Sequence, residues 1–229
     1  MLRFLLRLDV ALVKFVKFGD DCSGIFLMQN LIKAVLFDFG GVVAEEGFYE
    51  GLMAIGRMNG LNPEGFFKTV EALIVETGYL TGTSDEATFW NAVRDETGIT
   101  MSDAALREEI LKRFVLRPKV IAYADLLRSK GFIVAMLSDQ TNWLDEIDEK
   151  TALFQHFDRV FNSFHIHKSK RDATVFRDVC SDLNVRHDET LFIDDNAKHI
   201  QRAEGEGLRV IHFTGMSDFK KRAKKLLFV

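Results

Sequence analysis

The chain contains 229 residues, of which 47% are hydrophobic and 28% are charged, and its formal net charge is −4. This length suits one globular domain, or one domain with a large insertion, and the balance of residue types excludes a disordered or low-complexity protein. The net charge argues against a nucleic-acid-binding protein. Two cysteines are too few for a disulfide framework or a zinc finger, so we expect a reducing, cytoplasmic setting.

Residues 1–30 form an apolar and basic N-terminal extension. Charged side chains interrupt it well before the roughly 20 apolar residues of a membrane span, so we expect no stable membrane insertion. The same charges, and the lack of a small-residue cleavage site, disfavour a signal peptide. Two interpretations remain: an amphipathic helix that docks on the domain or on a membrane surface, or a misassigned start with Met28 as the initiator. The second is favoured, because the regular globular pattern begins shortly after Met28.

From Leu31 onward, short apolar runs alternate with helical patterns. Each run becomes polar only at its end, which is typical of a parallel strand covered by helices on both faces. Strands are predicted at residues 34–39, 132–137, 191–193 and 208–213. Strands that alternate with helices in this way predict an α/β fold with a doubly wound, Rossmann-like parallel sheet.

Residues 45–117 break this alternation, because they contain no strand-like run. We interpret this stretch as an inserted α-helical domain, which divides the α/β core into residues 31–44 and 118–229. Pro118 marks the return to the core.

Four helices are predicted inside the insertion, at residues 48–59, 63–77, 85–97 and 103–116. Asn62 followed by Pro63 is a typical helix start, with an N-cap residue and then proline at the first helical position. Ser84 and Ser102 are the predicted N-caps of the third and fourth helices.

Polar side chains stand where the predicted core strands end. Asp38 and Ser138 close the first two strands, and the pair Asp194 and Asp195 closes the third. Ligands of an open α/β sheet bind beyond the carboxyl ends of its strands, so we expect these side chains to converge. Carboxylates and a hydroxyl suit Mg²⁺ and a phosphoryl group, because Mg²⁺ prefers oxygen ligands and a substrate phosphate can complete its shell. A carboxylate placed there can attack phosphorus and form an aspartyl-phosphate.

Four segments, VLFDFGGVV, MLSDQ, KSKRDATVF and LFIDDN, resemble the four ordered motifs of the haloacid dehalogenase (HAD) superfamily. The resemblance extends from Ala34 to Phe213, and the helical insertion resembles the cap that this superfamily carries between motifs one and two. An apolar strand that ends in aspartate is common, but four motifs in the right order with a cap in the right place are specific. The resemblance implies a phosphatase-like HAD hydrolase.

The resemblance also implies roles for individual residues around a Mg²⁺ cofactor. Asp38 would be the nucleophile. The metal would bind the side chain of Asp38, the backbone carbonyl of Gly40 and the carboxylate of Asp195, with Asp194 acting directly or through water.

A second group of residues would hold the substrate phosphate. Ser138 would donate a hydrogen bond to a phosphate oxygen, and Lys170 would neutralise the phosphoryl charge and the nucleophile. Backbone N–H groups at Gly40 and Gly41 would form an anion nest, and Asp139 belongs to the same phosphate site. Lys170 is preferred to the nearby Lys168 because its distance to the following helix matches the superfamily pattern.

Gly40 departs from the phosphatase pattern. Most phosphatases of this superfamily place a second aspartate there, which protonates the leaving group and then deprotonates water. Proton transfer by a positioned side chain contributes about 10²–10⁴-fold, so an alkyl phosphate should react slowly, whereas a sugar 1-phosphate or another good leaving group would tolerate the loss. Glu45, Glu46 and the histidines are candidates to supply the proton instead.

Three functions are compatible with these residues. The favoured one is a Mg²⁺-dependent phosphatase that acts on a small phosphorylated metabolite through an aspartyl-phosphate. A non-catalytic binding protein with the same fold is the alternative, because Gly40 replaces the usual acid. A haloacid dehalogenase is disfavoured, since such an enzyme uses no metal and has no need of the pair Asp194 and Asp195.

Overall fold

The structure, a computed structural model, describes residues 32–227. The predicted N-terminal extension of residues 1–30 therefore lies outside the described residues. The described chain contains five strands, β1 Ala34–Phe37, β2 Ile133–Ser138, β3 Arg159–Asn162, β4 Thr190–Asp194 and β5 Arg209–His212. Its α-helices are α1 Gly47–Met58, α2 Pro63–Glu76, α3 Glu86–Thr97, α4 Asp103–Leu111, α5 Pro118–Ser129, α6 Trp143–Thr151, α7 Ser163–Ile166, α8 Thr174–Asp182, α9 Ala197–Gly205 and α10 Met216–Leu227.

All strands run parallel in one sheet of order β3-β2-β1-β4-β5, which confirms the predicted doubly wound α/β fold. Phe37, at the end of β1, pairs with Met136 of β2 on one side and with Ile193 of β4 on the other. The carboxyl ends of β1, β2 and β4 are therefore neighbours at one end of the sheet. The edge strand β3 was not predicted from the sequence.

Helices cover both faces of the sheet, because alternate residues of each strand point to opposite sides. Val35 and Phe37 of β1 belong to a large apolar cluster that contains residues of α5 and α10. Ala34 and Leu36 belong to a second cluster with residues of α8 and α9. Between residues 32 and 227, no helix is both long and apolar enough to cross a bilayer.

The predicted insertion contains helices α1 to α4 and no strand of the sheet. Asn62 and Ser102 are N-caps as predicted, with side chains that accept hydrogen bonds from the amides of Gly65 and Ala105. The prediction of Ser84 as the third cap is wrong: Asp85 accepts from the Thr88 amide at 2.8 Å, so the helix begins one residue later.

The fourth helix is also shorter than predicted, since α4 ends at Leu111 and not at residue 116. Residues 112–116 instead return to the core beside residues 43–45. The amide of Glu45 donates to the Val115 carbonyl at 2.9 Å, and the amide of Arg117 donates to the Val43 carbonyl at 2.8 Å. The two chain segments that join the insertion to the sheet are thus hydrogen-bonded to each other.

Candidate functional site

The predicted strand-end residues meet at the carboxyl ends of the neighbouring strands β1, β2 and β4. Asp38 directly follows β1, while Ser138 and Asp194 are the last residues of β2 and β4. Each of the three is buried, and Asp194 has no exposed surface. Polar groups are normally buried only with partners, so their hydrogen bonds define the site.

Lys170 lies between two of these carboxylates. Its Nζ atom is 2.7 Å from Oδ1 of Asp38 and 2.7 Å from Oδ2 of Asp194, and only 1% of the residue is exposed. The backbone amide of Lys170 donates to Oδ1 of Asp139 at 2.7 Å. Asp139 therefore fixes the segment that carries Lys170. Lys168, the alternative lysine, forms an ion pair with Asp178 instead.

Further hydrogen bonds hold the Asp194 side chain. Its Oδ1 accepts from the Asn196 amide at 2.7 Å, and its Oδ2 lies 3.2 Å from Nδ1 of His199. Asn196 caps α9 and His199 lies in the first turn of that helix. His199 is not among the predicted site residues, although its position one helical turn after the acidic pair is a usable signal in the sequence.

The charges in this cluster do not balance. Burial and the neighbouring Asp194 raise the pKa of the Asp38 carboxyl well above its usual value, while Lys170 acts in the opposite direction. Burial disfavours the ionised form of Asp194 as well, but Lys170 and His199 hold its pKa below the usual range. Burial also acts against the charged form of Lys170, but Asp194 and Asp38 raise its pKa above the usual value. The single ammonium group of Lys170 thus forms ion pairs with two carboxylates.

Asp195 is packed against Gly41. Gly41 has a φ of +78°, and a Cβ atom at this position would lie 2.0 Å from Oδ2 of Asp195. Only glycine fits, because it combines a left-handed conformation with the space that the carboxylate needs. Burial and Asp194 raise the pKa of Asp195. Within residues 32–227, carboxylate oxygens of Asp38, Asp194 and Asp195 lie within 4.8 Å of one another.

A cavity of about 450 Å³ opens beside this cluster. It is lined by the predicted site residues Asp38, Gly40, Ser138, Asp139, Lys170 and Asp195. The helical insertion supplies the facing wall, with Phe48, Tyr49, Phe67, Glu71, Ile74 and Leu80. Gly41 and Asp194, which are also predicted site residues, do not line this cavity, but Gly41 packs against Asp195 and Asp194 is bonded to Lys170.

Glu46 is a further carboxylate in the cavity wall. It is the N-cap of α1, where Oε1 accepts from the Tyr49 amide at 3.4 Å. Its Oε2 would lie 2.7 Å from a Cβ atom at Gly40. Burial, and then the nearby Asp195, raise the pKa of Glu46 to about 7. From the sequence alone, Glu46 is only one of several candidate proton donors.

Solved structures show the same fold. A HAD family enzyme from Bacteroides thetaiotaomicron has a TM-score of 0.69 at 22% identity, over 84% of this chain and 98% of that one. The same enzyme in complex with magnesium and inorganic phosphate has a TM-score of 0.63, over 79% of this chain and 93% of that one, at 22% identity. L-2-haloacid dehalogenase from Xanthobacter autotrophicus, with chloropropionic acid covalently bound, has a TM-score of 0.60 at 18% identity, over 85% of this chain and 82% of that one.

The sequence also matches known proteins directly. It is 28% identical over 106 residues to bifunctional epoxide hydrolase 2 of Rattus norvegicus, a match that covers 43% of this chain and 19% of that protein. The Mus musculus protein of the same name is 27% identical over 106 residues, with the same coverage of each chain. The haloacid dehalogenase-like hydrolase family matches residues 32–205, which include the four strand-end residues Asp38, Ser138, Asp194 and Asp195 and also Lys170. The chain therefore belongs to the haloacid dehalogenase-like hydrolase family.

Proposed function

We propose that this protein is a Mg²⁺-dependent hydrolase of small phosphate monoesters, which acts through an aspartyl-phosphate on Asp38. The observation that carries the proposal is the environment of Asp38. Its carboxylate lines a cavity, is held at 2.7 Å from the buried Lys170 ammonium, and has two more carboxylates within 4.8 Å. A nucleophile, a fixed positive charge and a set of oxygen ligands are what phosphoryl transfer to a carboxylate requires.

The residues present fit a magnesium ion. Asp38, Asp194 and Asp195 offer carboxylate oxygens, the ligand type that Mg²⁺ prefers, within reach of one centre. Lys170 supplies a single positive charge against these three carboxylates, so a dication would relieve the repulsion among them. When bound, the ion would neutralise charge on the phosphoryl group and align phosphorus with Asp38.

The remaining groups would hold the phosphate. Lys170 would place its ammonium beside both the nucleophile and the phosphoryl oxygens. The Ser138 hydroxyl lines the same cavity and would donate to one phosphate oxygen. Since the Asp139 carboxylate is bonded to the Lys170 amide, Asp139 would contribute to phosphate binding through its backbone N–H.

The size of the cavity supports a small substrate. About 450 Å³ accommodates a phosphate group and a leaving group of metabolite size, such as a sugar 1-phosphate. A magnesium and phosphate complex of the similar Bacteroides thetaiotaomicron enzyme supports the same ligand class. Similarity to a dehalogenase also makes chloride release from 2-chloropropionate a necessary comparison.

The test is release of p-nitrophenol from p-nitrophenyl phosphate by the purified protein, with Mg²⁺ and with excess EDTA. We expect turnover that requires Mg²⁺, no chloride release, and loss of turnover in Asp38→Asn. The asparagine keeps an oxygen that can accept from the Phe39 amide, and Lys170 keeps Asp194, so the variant should remain folded. Asp95→Asn, on the exposed surface of α3, is the matched control. Activity of Asp38→Asn above a tenth of the wild-type rate would refute the assignment.

A further inference from the structure

Hydrolysis of a phosphate monoester needs a group that gives a proton to the leaving oxygen and takes one from water. The phosphoryl chemistry proposed above provides a nucleophile but no such group. Without it, an alkyl alkoxide must leave unprotonated, at a loss of about 10²–10⁴-fold. The candidates for this task are the titratable side chains in the wall of the cavity.

Asp195 belongs to the carboxylate group that would hold the metal, and most of the other side chains are already engaged. Lys170 is paired with Asp38 and Asp194, and Asp139 accepts from the Lys170 amide. His199 is bonded to Asp194. Two side chains at the outer part of the cavity form pairs of their own: the Tyr49 hydroxyl donates to Glu64 at 2.8 Å, and Glu71 pairs with Arg171 at 3.2 Å.

Glu46 differs from all of them. Its Oε1 is anchored by the Tyr49 amide, whereas no hydrogen bond or ion pair within the described chain engages Oε2. That second oxygen lies against Gly40, two residues beyond Asp38, in the space that a side chain at position 40 would occupy. The absence of a side chain at Gly40 is therefore what allows the Glu46 carboxyl to reach the cavity.

The backbone around Glu46 is fixed. Gly47 packs so closely on Phe114 that a Cβ atom there would lie 2.5 Å from the ring. Glu45 is bonded to Val115 through its amide and forms a two-point ion pair with Arg117. These contacts hold the first turn of α1 against the core, so the carboxyl is positioned before substrate arrives.

We propose that Glu46 is the general acid and base of the phosphatase reaction, a role that rests on the proposed function. As the Asp38 carboxylate forms its bond to phosphorus, the bond from phosphorus to the leaving oxygen breaks and that oxygen takes the proton of Glu46. The resulting Glu46 carboxylate then removes a proton from water. The water oxygen bonds to phosphorus, the bond from phosphorus to Asp38 breaks, and hydrogen phosphate leaves.

The test measures the first turnover and the decay of the phosphoenzyme separately, in the presence of Mg²⁺. Wild-type protein should release p-nitrophenol from p-nitrophenyl phosphate and glycerol from glycerol 3-phosphate at rates that differ little. In Glu46→Gln, which keeps the oxygen bonded to the Tyr49 amide, release from glycerol 3-phosphate should fall about 10²–10⁴-fold while release of p-nitrophenol changes far less. With p-nitrophenyl phosphate, the phosphoenzyme of Glu46→Gln should also accumulate, because no carboxylate removes the proton from water. Glu50→Gln, an exposed acid one turn further along α1, is the matched control.

A double variant provides the rescue. Gly40→Asp alone should be crowded, because its Cβ would lie 2.7 Å from Glu46 Oε2. Its φ lies outside the left-handed region, so aspartate is not strained there once Glu46 is shortened. Gly40→Asp with Glu46→Ala should therefore recover much of the glycerol 3-phosphate rate that Glu46→Ala alone loses.

The outcomes separate the two proposals. Equal losses for both substrates, without accumulation of phosphoenzyme, would mean that Glu46 is only structural and would overturn the inference. An unchanged Glu46→Gln variant would overturn it as well while leaving the phosphatase assignment intact. A wild-type protein that hydrolyses no phosphate monoester overturns both.

Discussion

Lys170 shows how a buried charge organises this site. An ammonium group that is 1% exposed is tolerated because Asp38 and Asp194 each lie 2.7 Å from it. Removal of one partner from a buried pair typically costs about 3–5 kcal/mol, but a lysine with two partners retains one after either substitution. Asp194 thus keeps Lys170 in place beside Asp38 when the Asp38 carboxylate binds another group.

The two acids at the end of β4 should differ in metal binding. Asp194 is bonded to Lys170, the Asn196 amide and His199, whereas Asp195 lies in the cavity wall. Asp195 would therefore bind Mg²⁺ directly, whereas Asp194 would mainly orient the other groups, and loss of an orienting group costs about 10–100-fold in metal affinity. Asp195→Asn should weaken Mg²⁺ binding more than Asp194→Asn does. Calorimetric titration of both variants with Mg²⁺, after a check of their melting temperatures, measures the difference. Equal or reversed effects would contradict this assignment.

The location of a side chain can be predicted from the sequence where that side chain stands at the end of an apolar strand. Asp38, Ser138 and Asp194 are visible in this way, because the strand itself fixes where they lie. Glu46 is not visible in this way, since its position depends on where α1 begins and on how that helix docks. His199 is visible only through its place one helical turn after the acidic pair.

At the level of elements, the central strands were predictable and the edges were less so. β1 and β4 are fully buried and read as continuous apolar runs. β3 is a short edge strand that begins with the exposed Arg159, so its apolar content is too small to indicate a strand. Residues 112–116 kept a helical pattern in the sequence, but pairing with residues 43–45 outweighs that local preference.

The close packing of α1 on α4 depends on Gly51. A Cβ atom at this position would lie 2.7 Å from the backbone Cα of Ile110, which no side-chain rotation can relieve. Gly51→Ala should therefore lower the free energy of unfolding by about 1–3 kcal/mol, the usual loss from overpacking. Urea denaturation followed by circular dichroism measures this change.

Gly205→Ala is the control for that substitution. It lies at the end of α9, where a Cβ atom meets nothing within 4 Å. Alanine is the better helix former, so stability should stay the same or rise by up to about 1 kcal/mol. A Gly51→Ala variant as stable as Gly205→Ala would show that α1 and α4 can move apart without loss.

Across the whole molecule, side-chain contacts join the helical insertion to the α/β core. Trp90 of α3 stacks on Trp143 of α6 at a centroid distance of 5.9 Å, and the Tyr79 hydroxyl donates to Asn142 at 2.6 Å. The Ser163 hydroxyl donates to the Leu80 carbonyl at 2.8 Å. One apolar cluster includes residues of both parts, so insertion and core share a hydrophobic interior.

This shared interior predicts one cooperative unfolding transition. Trp90 and Trp143 are the only tryptophans in the sequence, and both are buried between the two parts. Their fluorescence reports on the contact, whereas far-ultraviolet circular dichroism reports on all helices. The two signals should change at the same urea concentration. A fluorescence change at clearly lower urea would show that the insertion separates from the core before either part unfolds.

The central claim of this account is that Asp38 becomes phosphorylated. Its most direct test is mass spectrometry of protein mixed with acetyl phosphate or p-nitrophenyl phosphate and Mg²⁺, quenched in acid within the first turnover, and digested. We expect the added mass of one phosphoryl group on the peptide that contains Asp38, and none when Mg²⁺ is removed or when Asp38→Asn is used. Turnover with no phosphorylated peptide, or with the phosphoryl group on another residue, would contradict the mechanism proposed here.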